Sequence, residues 1–311
     1  MKELVSIVIV CYNSEKYVLE TLSSCLNQTY GPENINLIIS DDCSSDNTVY
    51  IVEQWLRNYN TMFNSVKFLR SSENQGVTKN CNKGWESCIT KWVKTIAADD
   101  VLCSNCIHDN FAHIDNLTSE RVGVVFSNIQ TFSNATMLSM RSQKKLFSNK
   151  NSDKGQLDYL LLNGGINLAP SSFINLDVLK DVDYADTSIR NIEDYLLWLK
   201  ILNSGYSFSY LDSTTVMYRV SESVSHSKIN IINDNYLNDK INSIYISLNY
   251  ASKLKVMIVL KDRLLFLKRL SLISKLFNNK KSKISSFVLI LNKAFSLSGY
   301  VERYLRGKYD R

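Results

Sequence analysis

Ile35-Asn36-Leu37-Ile38-Ile39-Ser40-Asp41-Asp42-Cys43-Ser44-Ser45-Asp46-Asn47-Thr48 runs from an apolar, β-branched stretch into an acidic turn and on into a helix start. A short run of this kind, closed at once by turn residues, is the pattern of a strand buried on both faces, as in a parallel sheet. The same rhythm recurs on either side of it. Towards the N-terminus, Val5 to Val10 reads as a strand, and Glu15 to Gln28 as a helix carrying Val18, Leu22, Cys25 and Leu26 on one face. Towards the C-terminus the pattern predicts a helix from Asn47 to Asn58 that buries Val52, Trp55 and Leu56, a strand at Val66 to Leu69, a helix near Val77 to Ile89, and strands at Trp92 to Ala97 and Val122 to Ser127. Strands alternating with helices imply an α/β fold with a mostly parallel central sheet and crossover helices. Beyond residue 130 the alternation loosens into expected helices at Gly155 to Asn163 and Ile192 to Ser204 and a strand at Thr214 to Val220, with a helical pattern from about residue 230.

With 311 residues, 45% of them hydrophobic, the chain can bury one large core. Only 2 prolines and 10 glycines are present, and no Gly/Ser/Pro-rich tether separates two halves, so a compact unit with an attached tail is expected. Met1 to Glu3 leads straight into a strand and reads as no secretory leader, so the catalytic part is expected in the cytoplasm. The seven cysteines (Cys11, Cys25, Cys43, Cys81, Cys88, Cys103 and Cys106) are odd in number and set in apolar patterns, as free thiols are. Cys103-x-x-Cys106 lacks the second pair that a zinc site needs. No uncharged apolar run reaches the ~18 residues of a membrane span.

The net charge of +6 is unevenly placed, because residues 250 to 311 hold 15 Lys/Arg against 3 Asp/Glu and the preceding residues carry a net −6. In the tail the charges alternate with Leu, Ile, Val and Phe, as from Val256 to Leu272. That pattern suits an interfacial amphipathic helix on anionic lipid better than a nucleic-acid surface, and no nucleic acid is expected as a partner. A helical appendage packed on the body with a solvated basic face accounts for it equally.

The chemistry is expected at the carboxyl ends of the strands, where loops converge and helix N-termini point at a crevice. Asp41 and Asp42 follow one strand and Asp99 and Asp100 another, so two loops bring four carboxylates to one edge of the sheet. Such a cluster repels itself unless a cation or donor-rich ligand sits in it. Carboxylate oxygens suit Mg²⁺ or Mn²⁺, whose remaining positions are commonly filled by diphosphate oxygens and water. Neither G-x-G-x-x-G nor G-x-x-x-x-G-K-[ST] occurs, so no Gly-rich loop cradles phosphates. Taken singly, each acid has a plainer account: Asp41, Asp42 and Asp46 suit turn chemistry and helix capping, Asp99-Asp100 a strand-to-loop pair, and Asp194 a charge at a helix N-terminus.

In order and spacing, the segments below, over about residues 4 to 226, resemble family 2 glycosyltransferases. Ser6-Ile7-Val8-Ile9-Val10-Cys11-Tyr12-Asn13 is similar to that family's opening strand and nucleotide loop, which implies donor contacts at Val10, Tyr12 and Asn13. Asp41 to Thr48 resembles its D-D-x-S-x-D-x-T block, whose second acid, here Asp42, binds the uridine part. Glu73-Asn74-Gln75-Gly76-Val77-Thr78-Lys79-Asn80 resembles the E-N-x-G loop and its basic helix start, which brings in Asn74 and Lys79, the latter in place of the usual Arg. Ala98-Asp99-Asp100 resembles the metal motif, implying Asp100 as the ligand of Mn²⁺ or Mg²⁺ and Asp99 on the ribose or sugar. Glu193 to Leu199 resembles E-D-x-x-L-W-L, whose Asp, here Asp194, is the general base. Tyr218-Arg219 with Ser223-Val224-Ser225 resembles the closing loop, which makes Arg219 a second candidate, beside Lys79, for the diphosphate.

The departures are Val10 for Pro or Thr, Ala97 for the first acid of the metal motif, and Ser221 for the loop His, with His226 nearby. The resemblance implies a GT-A-like fold, with a catalytic domain over 1–228 (a nucleotide-sugar half, 1–128, and an acceptor half, 129–228) and a helical basic extension over 229–311. It implies an inverting, metal-dependent transfer from a nucleotide-diphosphate sugar to a glycan or lipid-linked acceptor. Two rivals are weighed. A nucleotidyltransferase of related fold would show a Gly-rich basic loop after the first strand, where this chain has Cys11-Tyr12-Asn13-Ser14-Glu15; a silent homologue acting as a membrane-bound binding subunit would not need its acids intact.

Overall fold

The computed structural model describes residues 2–117, 119, 121–133, 136–147, 153–220 and 230–309. β1 (Val5–Cys11), β2 (Ile35–Asp41), β3 (Ser65–Arg70) and β4 (Trp92–Ala97) are parallel and lie in the order β3-β2-β1-β4, joined by α1 (Val18–Leu26), α2 (Thr48–Tyr59) and α3 (Val77–Glu86). β1 and β2 are almost wholly buried, because helices cover both faces of the sheet. Val5, Ile7 and Ile9 belong to one apolar core with Leu22 and Val52, while Val8 faces the other with Cys81 and Trp85.

Past β4 come β5 (Val101–Leu102), α4 (Cys106–Ile114), β6 (Val122–Ser133), β7 (Thr136–Arg141), α5 (Asp153–Asn163), β8 (Phe173–Asn175), α6 (Leu176–Asp181), α7 (Asp194–Asn203) and β9 (Ser207–Arg219). β8 pairs antiparallel with both β4 and β6, β9 runs parallel to β6, and β5 pairs antiparallel with β9. Two differences from the sequence reading stand out. β9 begins at Ser207 rather than Thr214, because polar residues interrupt its apolar pattern and its pairing with β6 shifts register around Asn128. β5 and β8, two and three residues long, are too short to show a period.

The C-terminal helices are α8 (Asp234–Ser247), α9 (Leu254–Leu276), α10 (Lys283–Ala294) and α11 (Leu297–Tyr309). α9 and α11 pack on α5, with Val256 and Leu260 in the same core as α7, so the appendage is docked on the body along that side. All seven cysteines are free thiols.

Candidate active site

Strand pairing brings the acids together. β1, β2 and β4 end side by side, with Cys11 opposite Asp41 and Val10 opposite both Ser40 and Ala97. Asn80 of α3 ties these ends down: its Nδ2 donates to the carbonyls of Cys11 at 3.2 Å and Ser40 at 3.0 Å, and its Oδ1 accepts from Ser40 Oγ at 2.6 Å. α3 approaches closely because Gly84 has no side chain; a Cβ there would lie 2.4 Å from Val8 Cγ1. Beyond β1, Tyr12 and Asn13 are exposed, and Val10 is half-buried at the strand end. Asn13, at φ +48°, accepts from Ser45 N at 2.9 Å and donates its own N–H to Ser44 Oγ at 2.9 Å, which joins the β1 loop to the β2 loop.

The plainer account holds for two of the β2-loop acids. Asp41 accepts from Ser44 N and Oγ, at 3.0 and 2.5 Å, and Asp46 caps the start of α2 through Thr48 N at 3.0 Å. Asp42 differs. It is buried, and its two oxygens accept from Gln75 N and Gly76 N, each at 2.8 Å, so it shapes the loop before α3 while keeping further lone pairs. Gly76, at φ +93°, needs the freedom of glycine. Arg190 packs against it and donates Nη2 to the Asn74 carbonyl at 2.8 Å and to Asn74 Oδ1. Asn74 is thereby held, and Lys79 stands exposed in the first turn of α3.

Asp99 and Asp100 follow β4, and the pairing of β5 with β9 draws the end of β9 onto them. Arg219 N donates to Asp100 Oδ1 at 2.8 Å and Arg219 Nε to the Asp99 carbonyl at 2.8 Å. Burial, with help from the neighbouring Asp99, pushes the Asp100 carboxyl up to about 8, and burial raises Asp99 as well. Two adjacent acids held out of water fit a hard divalent cation, which would relieve both. Ala97 is exposed and offers no side-chain oxygen. Among the described residues no three His, Cys, Asp or Glu side chains converge, so an ion on Asp100 would take most of its ligands from diphosphate and water.

Arg219, expected from the resemblance to meet the diphosphate, is engaged by the protein itself. Its guanidinium is buried between the rings of Tyr17 (4.1 Å) and Phe132 (4.4 Å) and paired to Glu20 at 2.5 Å, so it clamps α1, β6 and the Asp99-Asp100 turn. Ser221, Ser223, Val224, Ser225 and His226 lie outside the described residues.

Asp194 opens α7, half-buried, its Oδ1 accepting from its neighbour Tyr195 N at 2.7 Å. Burial raises its carboxyl, and burial together with Asp194 raises Glu193. The segment before it is pinned from three sides, by contacts that sequence reasoning missed. Asn82 of α3 donates to the Ala185 carbonyl at 2.9 Å and accepts from Ala185 N at 3.1 Å. Thr78 N and Oγ1 donate to the Arg190 carbonyl at 3.3 and 3.2 Å. Asp239 of α8 accepts from Asn191 N at 2.9 Å and Asn191 Nδ2 at 2.6 Å. A separation of 48 residues between Asn191 and Asp239 leaves no local pattern to read. The two α3 contacts set the start of α7 beside the same helix that organises the strand ends.

Known proteins share this fold. A TarS fragment of Staphylococcus aureus crystallised with UDP-GlcNAc superposes with a TM-score of 0.62 at 20% identity, covering 85% of this chain and 72% of that one. The mannosyltransferase PcManGT of Pyrobaculum calidifontis, solved with GDP-Man and Mn²⁺, gives 0.54 at 12% identity over 97% of this chain and 73% of that one. In sequence, the poly(ribitol-phosphate) β-N-acetylglucosaminyltransferase TarS is 24% identical over 224 residues, 71% of this chain but 36% of that protein. The minor teichoic acid biosynthesis protein GgaB of Bacillus subtilis is 24% identical over 217 residues, 70% of this chain and 23% of that protein. The chain thus spans about a third or less of the length of these curated relatives. The structural likenesses establish a GT-A-like fold. The profile of glycosyl transferase family 2 covers residues 6–182, more than half of the sequence and all of the strand-end loops except that of β9, and the chain belongs to that family.

Proposed function

We propose that this chain transfers a sugar from a nucleotide-diphosphate donor, a UDP-sugar, to an acceptor hydroxyl by a single in-line displacement with inversion. The observation that carries the reading is that α3 ties together the ends of β1 and β2, where Asp42 sits, and, through residues 185–190, the approach to Asp194, while β4, paired to β1, ends in the turn of Asp99 and Asp100. Asp42, Asn13 and Tyr12 would face the nucleoside, with Val10 and Asn74 shaping the pocket floor and loop, and Asp99 the ribose or sugar. Exposed Lys79 would meet the diphosphate, as a cationic donor does best against ionised oxygens. Asp100 would hold Mn²⁺ or Mg²⁺, which when bound neutralises charge on the departing diphosphate. Asp194 takes the proton from the acceptor hydroxyl as that oxygen attacks the anomeric carbon; burial, by raising its proton affinity, makes the ionised form a stronger base. Loss of the leaving group through an oxocarbenium-like transition state with one displacement gives inversion.

The acceptor in this proposal is a glycan or lipid-linked oligosaccharide of a surface polysaccharide of the O-antigen or capsule class, assembled at the cytoplasmic face of the inner membrane. Relatives named for teichoic acid and poly-N-acetylglucosamine synthesis support an envelope polymer. Residues 1–228 are the catalytic part and 229–311 the extension that holds it near the membrane. Titration calorimetry of UDP with Mn²⁺, repeated with EDTA and with Asp100→Ala, tests the donor site: metal-dependent binding that the variant loses is expected. Asp194→Asn should abolish transfer and leave UDP binding unchanged; retained turnover would remove Asp194 from the mechanism.

A further inference from the structure

α10 is packed inside out. It buries Ser285 and Asn292 against α9 and its own N-terminus, while Ile284, Phe287, Ile290, Leu291 and Phe295 at its end are exposed, Phe287 to 61% and Phe295 to 74%. Ile284, Phe287, Leu291 and Phe295 are spaced three or four residues apart and so share one helix face. α11 adds Leu297, Tyr300 and Tyr304, all exposed, beside buried Ser298, while its Val301 and Leu305 pack on the core.

The polar side is fully used in holding this elbow to α9. Arg269 Nε donates to Asn292 Oδ1 at 2.8 Å and Arg269 Nη2 to the Phe295 carbonyl at 3.2 Å. Asp262 Oδ2 accepts from Ser298 N at 2.7 Å and Ser296 Oγ at 3.3 Å. Ser282 and Ser285 cap each other at the start of α10. Polar groups satisfied inward and apolar groups turned outward is the order a bilayer demands and water opposes.

The charge pattern names the occupant. Lys280, Lys281, Lys283 and Lys293 are exposed around α10, within a tail of 15 Lys/Arg and 3 Asp/Glu. Two such faces would repel each other across an interface between copies of the chain, whereas anionic lipid headgroups complement the lysines as acyl chains take the phenylalanines. Neither helix is long enough to cross by itself, and the pair, which together has the length and composition of a broken span, is sharply bent. α10 has 12 residues, about 18 Å of helix against the ~30 Å of a hydrocarbon core, and it meets α11 at a bend of 74°. We propose that the α10–α11 elbow dips into the interface of an anionic bilayer as a monotopic anchor, Phe287 and Phe295 entering the acyl boundary and the lysines engaging headgroup phosphates.

This deepens the peripheral placement proposed above but is independent of the sugar chemistry, so its test contains neither donor nor acceptor. The full chain is co-sedimented with phosphatidylcholine vesicles with and without phosphatidylglycerol, at low and high salt. Binding that requires phosphatidylglycerol and weakens with salt is expected. The combined variant Phe287→Ser with Phe295→Ser should weaken it by about tenfold per residue, and Lys280→Ala, Lys281→Ala and Lys283→Ala together by about fivefold per lysine. All these positions are exposed, so thermal midpoints should not fall, and sedimentation velocity without vesicles should show no self-association. No binding, binding indifferent to phosphatidylglycerol or to both variant sets, or self-association that the phenylalanine variant abolishes would each overturn the proposal, the last in favour of a second copy of the chain.

Discussion

Arg219 shows what a motif conveys and what it leaves out. The Tyr218-Arg219 pair marks the residue as part of the site, yet its role depends on β9 lying beside β5, which no local pattern reveals. The same holds for Asp42, whose importance is legible in the acidic block but whose bonds to Gln75 N and Gly76 N are not. Asp41 and Asp46, by contrast, do what turn chemistry alone would assign them. The clamp role makes a prediction that a phosphate-contact role does not. Arg219→Ala removes donors from the buried Asp99 carbonyl and the packing between Tyr17 and Phe132, so it should destabilise the protein by about 2–4 kcal/mol. The Glu20 pair adds little, because Glu20 is itself mostly exposed. Urea unfolding and UDP titration on one sample separate the roles: a stability loss with weakened UDP binding fits the clamp, and weakened binding at unchanged stability fits a direct phosphate contact.

Among the elements, the parallel strands and their helices were legible because each carries its own apolar period. β1, β2 and β4 lie within a residue of where the sequence puts them. α1 starts later than expected, at Val18, because Ser14 to Tyr17 form a turn whose Ser14 carbonyl accepts from both Tyr17 N and Val18 N. What the sequence left open, and the structure supplies, is how the C-terminal helices dock on the body. Asp239 of α8, far from the acidic loops in sequence, fixes Asn191 and hence the approach to Asp194. A base displaced by about 1 Å can lose as much as a hundredfold in rate. Asp239→Ala should therefore lower kcat by about ten- to a hundredfold, with a smaller loss of UDP affinity, since α8 reaches the donor loop only indirectly, through the Arg190 contact to Asn74. A fall in UDP affinity of equal size would mean that α8 supports the whole site and not the base alone.

Across the whole molecule, several buried ionisable groups favour the uncharged state. Burial raises Glu193 and Asp194 and pushes Asp100 to about 8. It raises the thiols of Cys11 and Cys81, and takes Cys25 to about 12 and Cys88 and Cys106 to about 11. It lowers Lys94, which sits in β4 with Nζ donating to the carbonyls of Pro170, Ser172 and Thr95, to about 8. The signs then differ by group. An acid whose folded value is raised binds its proton in the native state after the unfolded chain has lost it. Its contribution is complete below the ordinary carboxylate range and declines as pH rises towards 8. The thiols repeat this above pH 9. Lys94 acts oppositely, because the unfolded chain keeps a proton that the native lysine releases, so stability recovers between its folded value and its ordinary one near 10.5. One lysine cannot outweigh five thiols above pH 9. In metal-free buffer the thermal midpoint should therefore fall by a few degrees or more from about pH 5 to about pH 8, pause where Lys94 deprotonates, and fall again above about pH 9. Scanning calorimetry across that range checks it. A midpoint that rises from pH 5 to pH 8 would mean that Glu193, Asp194 and Asp100 are already ionised in the fold, and with them the account of Asp194 as a base strengthened by burial would fail.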